Sequence, residues 1–400
     1  MTQISLTSST FHNDIHAITK RMRQDDPVVR GKVLWNKAWF VSRYGDVDQL
    51  LRSDALVKEA AHVDSPKRRR EMWLPKTVRK ARRNILLMDD PEHRRLRLLV
   101  QQAFTRSRVH ALDGSIRTIA HRLVDDMVQQ GRCDFLQTFA TPLPVQIIAD
   151  MVGVPVDEQP RFYGIAQRVL QAPSVLGAVS QVRAIGALLD VVGALAEQRR
   201  RDPRDDLMTA LVQAESEGAH LSDDEVQAMV LLLLTAGYET TRGLISNGMM
   251  TLLRHPDALA HLQKTPDALP VAIEEMLRFE SPLLSTELYY AKREVRVADV
   301  DIRAGDMVVP LLLSANRDAT KFDSPDVFDI ERQPNPHLAF GLGIHYCLGA
   351  PLARLEAKVA FEVLFERLSE LALVDVDQLR WANLLITHGL QQLPVRVQAA

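Results

Sequence analysis

The stretch from Ser222 to about Leu253, SDDEVQAMVLLLLTAGYETTRGLISNGMMTLL, constrains the fold more than any other part of the chain. Ser222 followed three residues later by Glu225 forms a capping box, the signature of a helix start. A helix running from there to residue 253 is about 45 Å long at about 1.5 Å per residue, enough to cross a whole domain. Its apolar middle carries Ala236-Gly237-Tyr238-Glu239-Thr240-Thr241. Gly237 costs about 1 kcal/mol against alanine inside a helix, and a buried Glu239 costs more unless it is solvated or paired. Ala236 and Thr240 are four apart and share a face beside Leu233. A small residue over a hydroxyl leaves room for a small ligand. A kink in which Thr240 bonds back to a carbonyl one turn earlier is the plainer explanation, but it leaves the carboxylate without a role.

Around this helix the patterns are mostly helical: residues 116–130, 135–154 with a proline break, and 177–201. The segment VLWNKAWFVSRYG reads as a hairpin turning at Asn36-Lys37. Strand-like runs return near 286–290, 294–309 and 394–398. The expected fold class is therefore mainly α with small β-sheets, packed as a single domain over residues 1–400. No apolar run approaches the roughly 20 residues that span a bilayer, and residues 1–26 lack the apolar core of a secretory signal. Two cysteines, Cys133 and Cys347, cannot build a disulfide framework, which fits a reducing compartment and a cytoplasmic location. A net charge of -2 and the absence of a recognition motif argue against nucleic acid. The basic run KRRREMWLPKTVRKARR, residues 67–83, reads as a solvated surface loop or as an entrance attracting an acidic substrate or partner.

Cys347 sits in AFGLGIHYCLGAPLAR between a glycine-studded loop and the start of a helical pattern. A thiolate at a helix N-terminus is stabilised by free backbone N–H groups and the positive end of the helix dipole. Gly349 would let the backbone pass close to a bulky planar ligand. A dinucleotide fingerprint starting at Gly341 would require glycine at 346, where Tyr346 stands. A zinc site would want more thiols or imidazoles than His345-x-Cys347 supplies. On these residues alone Cys347 is either an inert core residue or a metal ligand. Glu275 and Arg278, at i,i+3 spacing, read as a surface ion pair, and His93 with Arg97 as one cationic helix face behind Pro91.

Together and in this order these motifs resemble the cytochrome P-450 superfamily, soluble bacterial type. The loop from Phe340 to Gly349 is similar to the family's F-x-x-G-x-x-x-C-x-G haem signature, Ala236 to Thr240 to its A/G-G-x-D/E-T motif, and Glu275-Met-Leu-Arg278 to E-x-x-R. SANRDATKFDSPDVFDIER resembles the N-R-D…F…P-x-x-F-D meander of bacterial members, and MDDPEHRRLR their haem-contacting helix. The resemblance covers nearly the whole chain. It implies a P-450 fold holding haem b between the long central helix and the helix that follows the cysteine loop. Cys347 would be the thiolate ligand of the iron, Phe340 would shield the sulfur, and His93, Arg97 and His345 would bind the haem propionates. Many members place an arginine where Tyr289 stands here. Either the tyrosine hydroxyl makes that contact, or Arg293 substitutes, or the contact is lost. Thr240 would hydrogen-bond dioxygen and Glu239 would relay protons. Glu275 and Arg278 would form a buried ion network with Arg317 or Arg332.

The implied activity is a monooxygenase inserting one oxygen atom from O2 into a lipophilic small molecule, in a pocket that includes Leu233, Ala236, Leu284 and Ile386. The loop from Trp73 to Leu87 would also line it. No flavin, nicotinamide or ferredoxin-type motif is present, so electrons would come from a separate ferredoxin or flavodoxin with its reductase. A monomer with no membrane attachment is expected. The alternatives are a peroxide-driven peroxygenase, whose relatives typically lose the acid–alcohol pair kept here, a non-catalytic haem-binding or sensor protein, and a helical binding module without haem.

Overall fold

The computed structural model describes residues 4–6, 8–59, 62–63, 76–170, 177–216, 218–374 and 379–400. Residues 67–75, most of the basic run, lie outside the described residues, as do Trp73 to Pro75 of the expected pocket loop. The chain divides into two compact units. One comprises residues 1–65, 120–141 and 240–400, the other residues 66–119 and 142–239.

The first unit is built on a six-stranded mixed sheet. Val28–Val33 and Asn36–Val41 pair antiparallel, Met307–Pro310 adds in parallel to the second of these, and Tyr289–Ala291 and Leu56–Val57 extend the far edge. Alternation along the strands sends Val41 and Val308 to one apolar cluster and Phe40 and Val309 to another. Each sheet face therefore has its own core. The hairpin forms, but it turns at Leu34-Trp35 rather than Asn36-Lys37: Val33 pairs with Asn36 and Lys32 with Lys37. Burial of one face decides the register. Val33, Ala38 and Phe40 go inside while Trp35 is left 91% exposed, and Leu34 accepts φ +55° to close the loop. A second sheet joins Leu368–Leu373, Pro394–Ala399 and Arg132–Asp134. Neither Arg132–Asp134 nor Leu368–Leu373 was among the expected strands.

The second unit is helical. It holds the helices Glu92–Ala103, Pro142–Val152, Gln159–Leu170 and Gly177–Arg201 and the first half of the central helix, Asp223–Leu253. The pattern at 135–154 breaks before Pro142 as expected, into a π-helical turn Leu136–Ala140 and the helix Pro142–Val152. The capping box is made: the Ser222 N–H and hydroxyl donate to Glu225 Oε2 at 2.8 and 2.9 Å. Arg95 of the helix Glu92–Ala103 also binds Glu225, which fixes where the central helix starts. Burial alone would raise the Glu225 carboxyl, but Ser222 and Arg95 hold it below its ordinary value. No helix of the described residues is long and apolar enough to cross a membrane.

Candidate active site

The cysteine loop is shaped by its glycines. Gly341 and Gly343 have φ +68° and +69°, a region open to glycine but strained for other residues. A Cβ on Gly343 would come within 2.5 Å of the Leu51 carbonyl oxygen, so the loop lies hard against the end of the helix Tyr44–Arg52. The Cys347 N–H donates to the Phe340 carbonyl at 2.9 Å and closes the loop. Cys347 itself is partly exposed, whereas Cys133 is buried and its thiol is pushed up by that burial. Gly349, two residues on, is the N-cap of the helix Ala350–Arg367, so the sulfur stands at the helix's positive end. A Cβ on Gly349 would make only an ordinary 3.9 Å contact with Cys347 Sγ. Packing within the chain does not demand glycine there, whereas a ligand lying flat against the backbone would.

A charged brace that the motif reading did not anticipate supports Phe340. The Arg354 guanidinium lies 4.4 Å from the Phe340 ring and donates to Glu274 at 2.6 and 2.7 Å. His337 Nε2 is 3.0 Å from the same carboxylate. Burial would raise Glu274, but Arg354 and His337 hold it at about 2. The only sequence clue was an acid directly ahead of the E-x-x-R glutamate. Glu275 and Arg278 are not a surface pair: both are fully buried, bonded at 2.7 and 2.8 Å. Arg332, not Arg317, is the third member, with its Nε 3.2 Å from Glu275 Oε2. Arg317 instead bonds the Phe279 carbonyl and Glu280. Arg278 also donates to the carbonyls of Asn316, Pro325 and Val327, tying down the meander ahead of the cysteine loop.

Tyr289 is buried, with its ring 6.3 Å from that of His345. Arg293 is 55% exposed and pairs with Asp54 at 2.5 Å. Lys58 was missed. It is buried, its ammonium lies 3.7 Å over the Tyr289 ring, and it donates to the Glu287 carbonyl at 3.0 Å. A lysine in VKEA carries no motif, and only strand pairing of Leu56–Val57 with Tyr290–Ala291 brings it to Tyr289. In the second unit, His93 is buried on the first turn of its helix and Arg97 is half-buried one turn on. Burial lowers the His93 pKa while Asp90, 3.4 Å away, opposes the shift.

Along the central helix Ala236 is exposed, and Leu233, Glu239 and Thr240 are partly so, although Val230, Leu234, Leu244 and Ile245 are buried. Glu239 is therefore half-buried rather than fully buried. Thr235, one turn earlier, makes a side-chain back-bond, donating to the Leu231 carbonyl at 3.0 Å. Leu284 and Ile386 are brought together by a 2.9 Å bond from the Leu284 N–H to the Ile386 carbonyl. A cavity of about 720 Å³ in the second unit is lined by Thr77, Arg79, Lys80, Arg83, Asp224 and Gln227 among others. Its lining is polar and takes Thr77, Arg79, Lys80 and Arg83 from the loop expected to line the pocket, together with residues that were not expected there.

Residues 183–269 and 267–384 match the family model described as Cytochrome P450. A "Cytochrome P450" of Bacillus subtilis (strain 168) is 36% identical over 402 aligned residues, covering 99% of this chain and 97% of the relative. The chain belongs to the cytochrome P450 family. The "Mycinamicin IV hydroxylase/epoxidase" of Micromonospora griseorubida is 37% identical over 96% of this chain and 97% of its own length. The solved cytochrome P450 PksS of the Bacillus subtilis 168 bacillaene polyketide synthase superposes with a TM-score of 0.92 at 32% identity, covering 99% of this chain and all of that one. The fold is thus the P450 fold, and the chain is a P450 monooxygenase whose cofactor is haem b. The residues fit that group. They include a partly exposed thiol at a helix N-terminus, a glycine beside it that internal packing does not require, and a buried ammonium next to Tyr289.

Proposed function

We propose that this P450 hydroxylates or epoxidises a lipophilic small molecule of polyketide-like size, working in the cytoplasm as a monomer and as one functional domain. Electrons come from a separate ferredoxin or flavodoxin with its reductase. The names of the relatives, a polyketide-synthase P450 and a mycinamicin hydroxylase/epoxidase, support the substrate class. The observation that carries the reading is the seating of Cys347, a partly exposed thiol at the head of a helix on a loop whose glycines cannot be exchanged without strain.

Cys347 holds the haem iron. With the Cys347 thiolate as an electron-donating ligand, bound haem would supply dioxygen activation. Phe340, clamped by Arg354, keeps water from the sulfur. His93, Arg97, Tyr289 and His345 hold the propionates, and Lys58 supplies the positive charge that other members take from an arginine. Thr240 would offer its hydroxyl as a hydrogen-bond donor on the distal side, and Glu239 next to it would relay protons. Leu233, Ala236, Leu284 and Ile386 give the pocket an apolar wall that favours lipophilic substrates.

A spectral screen of polyketides, terpenoids, steroids and fatty acids against the holoenzyme tests the substrate class. Turnover with a surrogate ferredoxin system then tests the reaction. The reading predicts oxygenated product in step with substrate-dependent NADPH consumption. Tight spectral binding without any oxygenated product would overturn it.

A further inference from the structure

In the first unit, outside the haem site, three side chains from distant parts of the chain converge on one point. His16 Nε2 lies 2.8 Å and His388 Nε2 2.9 Å from the same oxygen, Oε1 of Glu280. The three atoms lie within 4.8 Å of one another. The imidazole planes cross at 82°, so they approach the carboxylate from different directions. We propose that His16, Glu280 and His388 form a binding site for a divalent ion of the zinc class.

The donor set is two imidazoles and one carboxylate, which suits zinc with a fourth position left for water. Glu280 divides its oxygens. Oε2 faces Arg317 at 3.3 Å, while Oε1 faces the histidines. Arg317 is held in turn by the Phe279 carbonyl and by Asp326, so its charge is shared among several acceptors. Burial opposes charge on Glu280, yet His16, His388 and Arg317 keep its carboxyl well below the ordinary range. The Nδ1 atoms of both histidines have no hydrogen-bond partner. An ion on the two Nε2 atoms would take the place of the protons that now face Glu280 Oε1, which move to Nδ1 or leave to solvent. Zinc–ligand distances of about 2.0–2.1 Å place tetrahedral donors about 3.3 Å apart, so the present contacts need to open by only a few tenths of an ångström. His388 and Glu280 are buried, but His16 is 32% exposed and provides the way in.

The ion would join the helix Ile15–Gln24 to two segments that carry pocket-wall residues. The His388 N–H bonds the Pro282 carbonyl, and Leu284 bonds Ile386. Asn247 of the central helix donates to the carbonyls of both Glu280 and His388.

The experiment titrates Zn²⁺ into the haem-loaded enzyme by calorimetry, comparing the wild type with His16→Ala and with an exposed-histidine control, His261→Ala. X-ray absorption at the zinc edge is then recorded on the one-equivalent wild-type complex. The expected result is one site per chain, kept in the control and weakened at least about tenfold in His16→Ala, since even loss of a supporting residue costs 10–100-fold. The spectrum should show two imidazole ligands. Equal affinity and stoichiometry in all three proteins, or a shell of oxygens only, would overturn the assignment. The spectrum needs no variant, so a folding defect in His16→Ala leaves the test intact.

Discussion

Glu275 accepts hydrogen bonds on both oxygens at the centre of a buried network. Oε1 receives Arg278 Nη2 at 2.8 Å, the Asp329 N–H at 2.9 Å and Arg332 Nε at 3.3 Å. Oε2 receives Arg278 Nε at 2.7 Å, Arg332 Nε at 3.2 Å and Asn335 Nδ2 at 3.2 Å. Glu275→Gln keeps the shape but replaces one acceptor oxygen with an NH2 group. Whichever way the amide turns, donors then face donors, and Arg278, fully buried, loses its counter-charge. Breaking a buried pair from one side costs about 3–5 kcal/mol. With about 2.1 cal/mol/K of unfolding entropy per residue, a chain of 400 residues loses roughly 4–6 °C of melting temperature for that amount. The assay is thermal loss of the haem absorption band alongside far-UV circular dichroism. Because Arg278 also holds three carbonyls of the meander, a double variant Glu275→Met/Arg278→Met should recover only part of the loss. A Glu275→Gln protein melting within about 1 °C of wild type would refute the reasoning, because the desolvated arginine would then carry no penalty.

Glu356 is fully buried on the helix Ala350–Arg367, and desolvation pushes its pKa up to about 8 from 4.5. A carboxyl that holds its proton more tightly when folded gives stability that is complete below pH 4.5 and falls as the pH rises toward 8. The ceiling of that loss is about 5 kcal/mol at about 1.4 kcal/mol per pKa unit. Denaturant melts between pH 5 and 8 should therefore show Glu356→Gln with a flatter profile than wild type; parallel profiles would contradict this. Lys58→Gln should lose haem to apomyoglobin about tenfold faster, the effect of about 1.5 kcal/mol from a charge-assisted contact, and an unchanged rate would remove Lys58 from the haem site. Thr240→Ala should still consume NADPH while product formation falls about 10²-fold, the low end of a positioned proton donor's contribution; undiminished coupling would reassign the hydroxyl. Gly343→Ala should yield little haem-loaded protein, since its Cβ would stand 2.5 Å from a backbone oxygen at a φ of +69°, and normal haem incorporation would count against the loop geometry.

Local signals translated well where a short-range rule decides the structure. The capping box at Ser222 and Glu225 and the proline break before Pro142 are set by neighbours in sequence, and the glycine loop at 341–349 shows in its own residues although Leu51 packs against it. The hairpin turn was misplaced because the polar pair Asn36-Lys37 looked like turn chemistry. Burial of Val33 and Phe40 overrode it and forced Leu34 into a conformation leucine rarely takes. Residues acting across the fold were the least legible. Arg332 could be told from Arg317 only by which one reaches Glu275. Lys58 and the Glu274–Arg354–His337 brace depend on strand pairing and helix packing that no spacing encodes. Spacing alone reads Glu275 and Arg278 as a surface pair because spacing does not report depth; the buried network expected for them came from the family resemblance, and both side chains are buried.

Ligation of the haem iron by the sulfur of Cys347 is the centre of the account, and the spectrum of the dithionite-reduced protein under carbon monoxide tests it most directly. Wild-type protein should show the strongly red-shifted Soret band of a thiolate-ligated haem, and Cys347→His should bind haem without it. A wild-type band at the position typical of histidine-ligated haem, in folded and freshly reduced protein, would contradict the account.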